Sequence, residues 1–207
     1  MTRKILYRGA EAEIRLAKYM GKTVVQKQRV HKRYRIKEID TQLISYRTKE
    51  EAKLIAEARR HGVCVPVIYD VDLVNGCITM EYLKGRRVKD ILNTLKEDER
   101  RRICHLIGES IARLHEHDLI HGDITTSNMI YYENRIHFID FGLGSQSIEL
   151  EAKGVDLHVL MEAFESTHSK HPRCFEYVLE GYTKQLTGDA SGIIEKIKEI
   201  VQRGRYR

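Results

Sequence analysis

The chain has 207 residues, 42% of them apolar, which suits one large domain or two small lobes with a packed core. Two prolines, four cysteines without a C-x-x-C, and no apolar run near the ~18 residues of a membrane helix exclude collagen-like, disulfide-rich and membrane-spanning classes. The formal charge of +6 is uneven: residues 1–60 carry 17 Lys+Arg against 7 Asp+Glu and the remainder 19 against 23, so the front part suggests an anionic partner, nucleic acid first.

The opening segment reads as strands Lys4 to Tyr7, Glu13 to Tyr19 and Thr23 to Gln28, with Gly9 and Gly21 at the turns. A helix follows from Ile36 to Arg60, stopped at His61-Gly62. Val67 to Val71 and Cys77 to Tyr82 read as two strands joined across Asn75-Gly76, a hairpin signal. Then helices begin. Val88 to Leu95 is short, and Glu99 to His117 is long, with Ile103, Leu106, Ile107, Ile111 and Leu114 at helical spacing. Two strands, Asn128 to Tyr132 and Arg135 to Ile139, turn at Glu133-Asn134, and helices are expected near 152–166, 172–186 and 189–203. A sheet-rich front, 1–83, therefore precedes a helix-rich back, 84–207: an α+β chain of two lobes. The opening lacks an apolar h-region, so no secretory leader is expected, and Cys64, Cys77, Cys104 and Cys174 read as reduced thiols of a cytoplasmic protein. Cys77 and Cys104 lie in apolar patterns and are expected in the core. His115, His117 and His121 have no further ligand cluster beside them, so no zinc site is expected.

The chemistry concentrates in His121-Gly122-Asp123-Ile124-Thr125-Thr126-Ser127-Asn128, followed by Asp140-Phe141-Gly142. Phosphoryl transfer from ATP needs a carboxylate (Asp123) beside the attacking hydroxyl or water. It also needs an amide (Asn128) and a second carboxylate (Asp140) to hold Mg²⁺ on the phosphates. The short hairpin between Asn128 and Asp140 brings these ligands together. The bland alternative has Asp123 capping a turn and Asp140 ending a strand.

H-G-D-x4-N followed by D-F-G resembles the eukaryotic-type protein kinase superfamily. The resemblance implies a two-lobed kinase fold using ATP and Mg²⁺. Val24-Val25-Gln26-Lys27 stands where that family has its β-strand lysine, so Lys27 is expected on the α/β-phosphates. Its helical partner is expected to be Glu51, with Glu50 as the alternative. Met80-Glu81-Tyr82-Leu83 resembles the hinge that reads adenine: Met80 lines the pocket, and Glu81 and Leu83 offer main-chain groups. The phosphate loop corresponds to Gly9, Ala10, Glu11 and Ala12, with one glycine and no G-x-G-x-x-G.

Departures narrow the family. Gly122 replaces the usual arginine, Thr125 the usual lysine, 13 residues separate Gly142 from Asp156, and 65 follow Gly142. R-G-A-E-A-E at 8–13, K-R-Y-R at 32–35, R-T-K-E-E-A at 47–52, H-G-D-I-T-T-S-N-M at 121–129, I-D-F-G-L-G at 139–144, K-G-V-D-L-H-V-L at 153–160 and the terminal R-G-R-Y-R together resemble the small atypical Ser/Thr kinase/ATPase subunits of KEOPS complexes, relatives of the RIO kinases. The resemblance covers nearly the whole chain. It implies support of threonylcarbamoyl-adenosine formation in tRNA, with the KEOPS threonylcarbamoyl-transferase subunit, other KEOPS subunits and tRNA as partners. Asp156 is then expected to anchor the catalytic loop and Lys153 to hold the shortened segment. Lys32, Arg33, Arg35, Arg203, Arg205 and Arg207 are expected to meet tRNA or a partner, and the basic residues 29–37, Arg29 included, to be surface charges. Two other classes compete. An aminoglycoside-kinase-like phosphotransferase shares H-G-D-x4-N but needs a large acidic back lobe. A pseudokinase scaffold or RNA-binding adaptor has no need of Lys27, Asp123, Asn128 and Asp140 together.

Overall fold

The computed structural model describes residues 4–9 and 11–205, with side chains at positions 5–9 and 11–203. The architecture is α+β and divides into two units. One is the chain up to Glu57 with Pro66–Lys84; the other is Ala58–Val65 with Gly85–Arg207.

The first unit is an antiparallel sheet with a helix. Its strands are β1 (Lys4–Arg8), β2 (Ala12–Tyr19), β3 (Lys22–Arg29), β4 (Ile68–Asp72) and β5 (Cys77–Glu81), in the order β1-β2-β3-β5-β4. Helix α1 (Lys37–Arg60) begins after β3. Strand β3 is central, and its Lys27 pairs with Ile14 on one side and Ile78 on the other. Val24, Ile78 and Met80 of the sheet and Ile44, Leu54 and Ile55 of α1 are buried, each such side chain contributing about 1.5–3 kcal/mol of apolar burial. Thr48, also buried, donates its hydroxyl to Ile44 O, so this core position is satisfied. The β4–β5 connection is wider than a two-residue Asn-Gly turn. Leu73 to Gly76 all lie outside the strands, and the Asp72 carboxylate accepts from Asn75 N (2.9 Å) and Nδ2 (2.6 Å). An aspartate closing its own turn explains the extra residues.

The second unit runs β6 (Arg86–Arg87), α2 (Val88–Ile91), a single 3₁₀ turn, α3 (Glu97–Glu116), β7 (Leu119–Ile120), a second 3₁₀ turn, β8 (Met129–Tyr132), β9 (Arg135–Phe138), β10 (Ser145–Gln146), α4 (Leu150–Thr167), α5 (Cys174–Gln185) and α6 (Ala190–Arg205). β6 pairs with β8, β8 with β9, and β10 with β7. The two-residue strands β6, β7 and β10 are too short to leave a periodic signal. Glu133 and Asn134, at φ 48° and 59°, make the tight turn between β8 and β9. On α3, Ile103, Ile107, Ile111 and Leu114 face inward, while Leu106 is half-buried. Helix α5 crosses α3 so closely that a Cβ on Gly108 would lie 2.0 Å from Val178 O. Cys104 and Cys174 are buried, whereas Cys77, expected in the core, is only half-buried. Its strand neighbours Ile78 and Met80 take the inner positions instead.

Candidate active site

In the first unit, Lys27 Nζ donates to Glu51 Oε1 at 2.6 Å, and Glu51 is 1% exposed. Glu51, not Glu50, therefore faces β3, a choice the helical register makes and the local sequence does not. Glu51 has a second cation: Arg29 Nη2 donates to its Oε2, also at 2.6 Å. Arg29 is 6% exposed, which corrects the expectation of a surface charge. Lys27 and Arg29 sit two apart on one strand, so their side chains leave the same face. Arg29 Nη1 also lies 3.7 Å from Glu11 Oε2, and Arg47 Nη1 donates to both Glu11 oxygens at 2.8 and 2.9 Å. Burial alone raises the Glu11 carboxyl, but the Arg47 and Arg29 charges bring it below its usual value. Gly9 N closes the adjoining turn on Ala12 O at 2.9 Å, and Ala10 lies outside the described residues. Met80 is buried, Glu81 is half-buried with its carboxylate accepting from Val67 N at 3.1 Å, and Leu83 is buried.

In the second unit the residues of the H-G-D-x4-N segment are brought together. Asn128 Nδ2 donates to the Asp123 carboxylate and to Asp123 O, both at 2.9 Å. With the amide nitrogen committed, Oδ1 is the atom Asn128 can offer a cation. Ile139 N donates to Asn128 O at 2.9 Å, which brings the chain at Asp140 beside the loop. Asp140 is exposed and left-handed at φ 68°, and its Oδ1 accepts from Gly142 N at 3.2 Å. A non-glycine residue held at positive φ is a strained position of the kind functional sites keep. An amide oxygen and a carboxylate are hard oxygen donors, the set that suits Mg²⁺.

The loop is fixed from below. Asp156, buried in α4, accepts from His121 N at 2.8 Å and Gly122 N at 2.9 Å. His115 Nε2 adds a contact to Asp156 at 3.3 Å, while His115 Nδ1 meets the Tyr182 hydroxyl at 2.9 Å. Burial pushes the Tyr182 phenol up, so it keeps its proton and donates; Nδ1 accepts, and Nε2–H faces the carboxylate. Burial likewise raises the Asp156 carboxyl, but His115, His121 and the loop N–H groups outweigh it and the net shift is downward. His121 is held below its usual pKa by complete burial, against the pull of Asp156, Asp140 and Asp123. Its Nδ1 accepts from Asp123 N (3.3 Å), so Nε2–H donates to Ile139 O (3.2 Å), tying the two motifs together. Lys153 Nζ donates to Asp118 Oδ1 at 2.8 Å, and Ser147 N to Asp118 O at 2.9 Å, holding the short segment before α4.

A carboxyl whose pKa falls on folding stabilises the fold above the usual carboxylate range and loses that contribution as the pH drops through its folded value. Asp156→Asn is therefore expected to lower stability at neutral pH by about 3–5 kcal/mol, since two buried N–H groups and His115 lose a charged acceptor. Its stability should also decline less steeply in acid than that of the parent. Chemical denaturation across the acid range checks both; parallel acid limbs would refute the assignment.

A family model described as the RIO domain matches residues 10–169. The chain belongs to the RIO-domain family. Within that family it is an atypical kinase of the Bud32 group, as its relatives show. It is 46% identical to the "KEOPS complex subunit Bud32" of Pyrococcus abyssi, over 99% of this chain and 96% of that protein. It is 40% identical to a "probable serine/threonine-protein kinase BUD32 homolog" of Archaeoglobus fulgidus, over 97% of this chain and 95% of the other. It is also 44% identical to a "probable bifunctional tRNA threonylcarbamoyladenosine biosynthesis protein" of Methanobrevibacter smithii, over 98% of this chain but only 36% of that longer protein. Among solved structures, one described as WaaP in complex with acyl carrier protein superposes with a TM-score of 0.64 at 11% identity, covering 98% of this chain and 88% of that one, which shows a kinase-like fold.

The basic residues divide into two kinds. The buried Asp40 carboxylate accepts from Lys32 N (3.1 Å) and Arg35 Nη1 (3.2 Å) and contacts His31 Nδ1 (2.8 Å), which pins the K-R-Y-R turn and leaves Arg33 exposed. Arg203 is paired within the chain, with Nη1 donating to Glu151 Oε1 at 2.8 Å and Nη2 to Glu199 Oε2 at 3.2 Å. Arg205 lies at the end of α6, its side chain outside the described set, and Arg207 lies outside the described residues. No helix among the described residues is long and apolar enough to cross a membrane.

Proposed function

We propose that this RIO-family kinase is the ATP-dependent phosphotransferase/ATPase of a cytoplasmic KEOPS-type assembly that supports threonylcarbamoyl-adenosine formation in tRNA. The observation that carries the chemistry is the locked loop: Asn128 bonded to Asp123, Ile139 bonded to Asn128, and both loop N–H groups on Asp156. Asp123 takes the proton of the attacking hydroxyl or water. Asn128 Oδ1 and Asp140 hold Mg²⁺, which when bound neutralises charge developing on the phosphates. Lys27, oriented by Glu51, meets the α/β-phosphates. The main chain of Glu81 and Leu83 reads adenine beside Met80, and Gly9, Ala10, Glu11 and Ala12 border the phosphates. A transferase partner is supported by relatives that carry a matching segment inside a longer bifunctional protein. Lys32, Arg33 and Arg35, with Arg203, Arg205 and Arg207, form the surface for tRNA or that partner. Arg203 must leave Glu151 to join it.

The deciding experiment follows labelled ATP with the purified chain alone, with the transferase subunit, and with that subunit and tRNA. Magnesium-dependent turnover that rises with the partner is expected. A folded, assembled complex with no turnover overturns the reading.

A further inference from the structure

The phosphoryl-transfer reading leaves one buried histidine unused. His168 follows α4, is 1% exposed, and its N–H donates to Phe164 O at 2.8 Å. Its ring bridges two loops: Nδ1 lies 2.7 Å from Asn93 Oδ1, and Nε2 lies 3.0 Å from Thr126 Oγ1. Asn93 belongs to the 3₁₀ turn Leu92–Thr94, and its Nδ2 donates to Thr167 O at 3.1 Å. That bond fixes the amide with its oxygen toward the ring. An amide oxygen only accepts, so the proton sits on Nδ1; Nε2 is then bare and accepts the Thr126 hydroxyl. Thr126 is itself 1% exposed, three residues after Asp123 and two before Asn128. Burial, with the charges of His171 and Lys89, pushes the ring down to about 4, and the third neighbour is the Phe164 ring at 5.4 Å.

We infer that His168 is a positioning residue for the catalytic loop: its fixed Nδ1–H tautomer holds the Thr126 hydroxyl and so sets the loop between Asp123 and Asn128. Asp156 grips only the loop's start, and at position 125 a threonine replaces the lysine seen in many kinases. The tie through Thr126 is the side-chain anchor for the second half, beside the backbone bond from Ile139 N to Asn128 O. The kinetic consequence rests on the phosphoryl-transfer reading; the tautomer does not.

The test uses the full chain with its partner. Asn at 168 keeps an N–H near Nδ1 but loses the acceptor for Thr126. Gln keeps a carbonyl oxygen near Nε2. His168→Asn and Thr126→Val are expected to lower kcat by roughly 10–100-fold with KM for ATP nearly unchanged, since small displacements of catalytic groups cost rates of this order. The double variant should be no worse than either single one, and His168→Gln and Thr126→Ser should recover most of the rate. Equal losses for Asn and Gln, or a fully active Thr126→Val, overturn the inference in favour of simple packing. Nitrogen chemical shifts of the ring provide a second readout without turnover. A protonated Nδ1 and bare Nε2 near neutral pH, the latter moving in Thr126→Val, are expected. A protonated Nε2 overturns the inference even if no ATP is consumed. If the wild type is inactive but the expected tautomer is seen, the functional reading fails and the positioning contact stands.

Discussion

Asp140→Asn is expected to lower magnesium-dependent ATP turnover by about a hundredfold to a thousandfold, the scale for losing one preorganised electrostatic partner of a transferring phosphoryl group. Asparagine is the informative substitution because Asp140 sits at φ 68°. Asparagine tolerates the left-handed region and can still accept from Gly142 N, whereas alanine would add backbone strain. The fold should therefore survive, Asp140 being exposed, and what is lost is one carboxylate charge on the cation. The magnesium concentration for half-maximal turnover should rise as kcat falls. Glu165→Gln, on the exposed side of α4, should match the parent in both. Turnover near the parent level in folded Asp140→Asn would remove Asp140 from the site.

Much of this arrangement was legible in the sequence because phosphoryl transfer tolerates little variation in residue type or spacing. D-x4-N, the Glu133-Asn134 turn and D-F-G fix one another: the hairpin register Met129↔Phe138 and the bond from Ile139 N to Asn128 O follow once the turn is set. Asp156 was legible only through the family resemblance, which implied an anchor for the loop from the following helix; the bonds from His121 N and Gly122 N bear that out. Other parts were hidden by the kind of contact involved. Glu50 and Glu51 are neighbours on a helix, and only the packing of α1 on β3 decides which of them faces Lys27. Arg29 was misread because it lies in a basic run, where the default is a solvated face. The period-2 rule, which places it beside Lys27, was the available signal. His168 had no signal at all. Its partners Asn93 and Thr126 are 75 and 42 residues away, and no local pattern encodes a side-chain contact over that distance.

The loss of arginine at position 122 has a steric counterpart, and it carries a large expected effect on both stability and turnover. Gly122 adopts φ 80°, and a Cβ there would lie 2.1 Å from Leu143 O and 2.6 Å from its carbonyl carbon. The segment after Asp140-Phe141-Gly142 thus lies directly against the catalytic loop, helped by Gly144 N donating to Phe141 O at 3.0 Å. Where an arginine side chain would reach out to clamp a phosphorylated activation segment, this chain seats a short segment by backbone contact. Gly122→Ala is expected to destabilise the fold by about 2–5 kcal/mol, combining left-handed strain of about 1–2 kcal/mol with about 1–3 kcal/mol for overpacking against backbone. Turnover should fall with it, because relief of the clash moves the residue next to Asp123. Gly122→Arg, which restores the common kinase residue, should do no better, since the obstruction is at Cβ. Gly188→Ala is the control, with nothing within 4 Å of its Cβ position. Denaturant midpoints and ATP turnover measured on all three decide the matter. A Gly122→Ala protein within about 0.5 kcal/mol of the parent, the ordinary range for a surface substitution, would mean that the two segments do not meet as described.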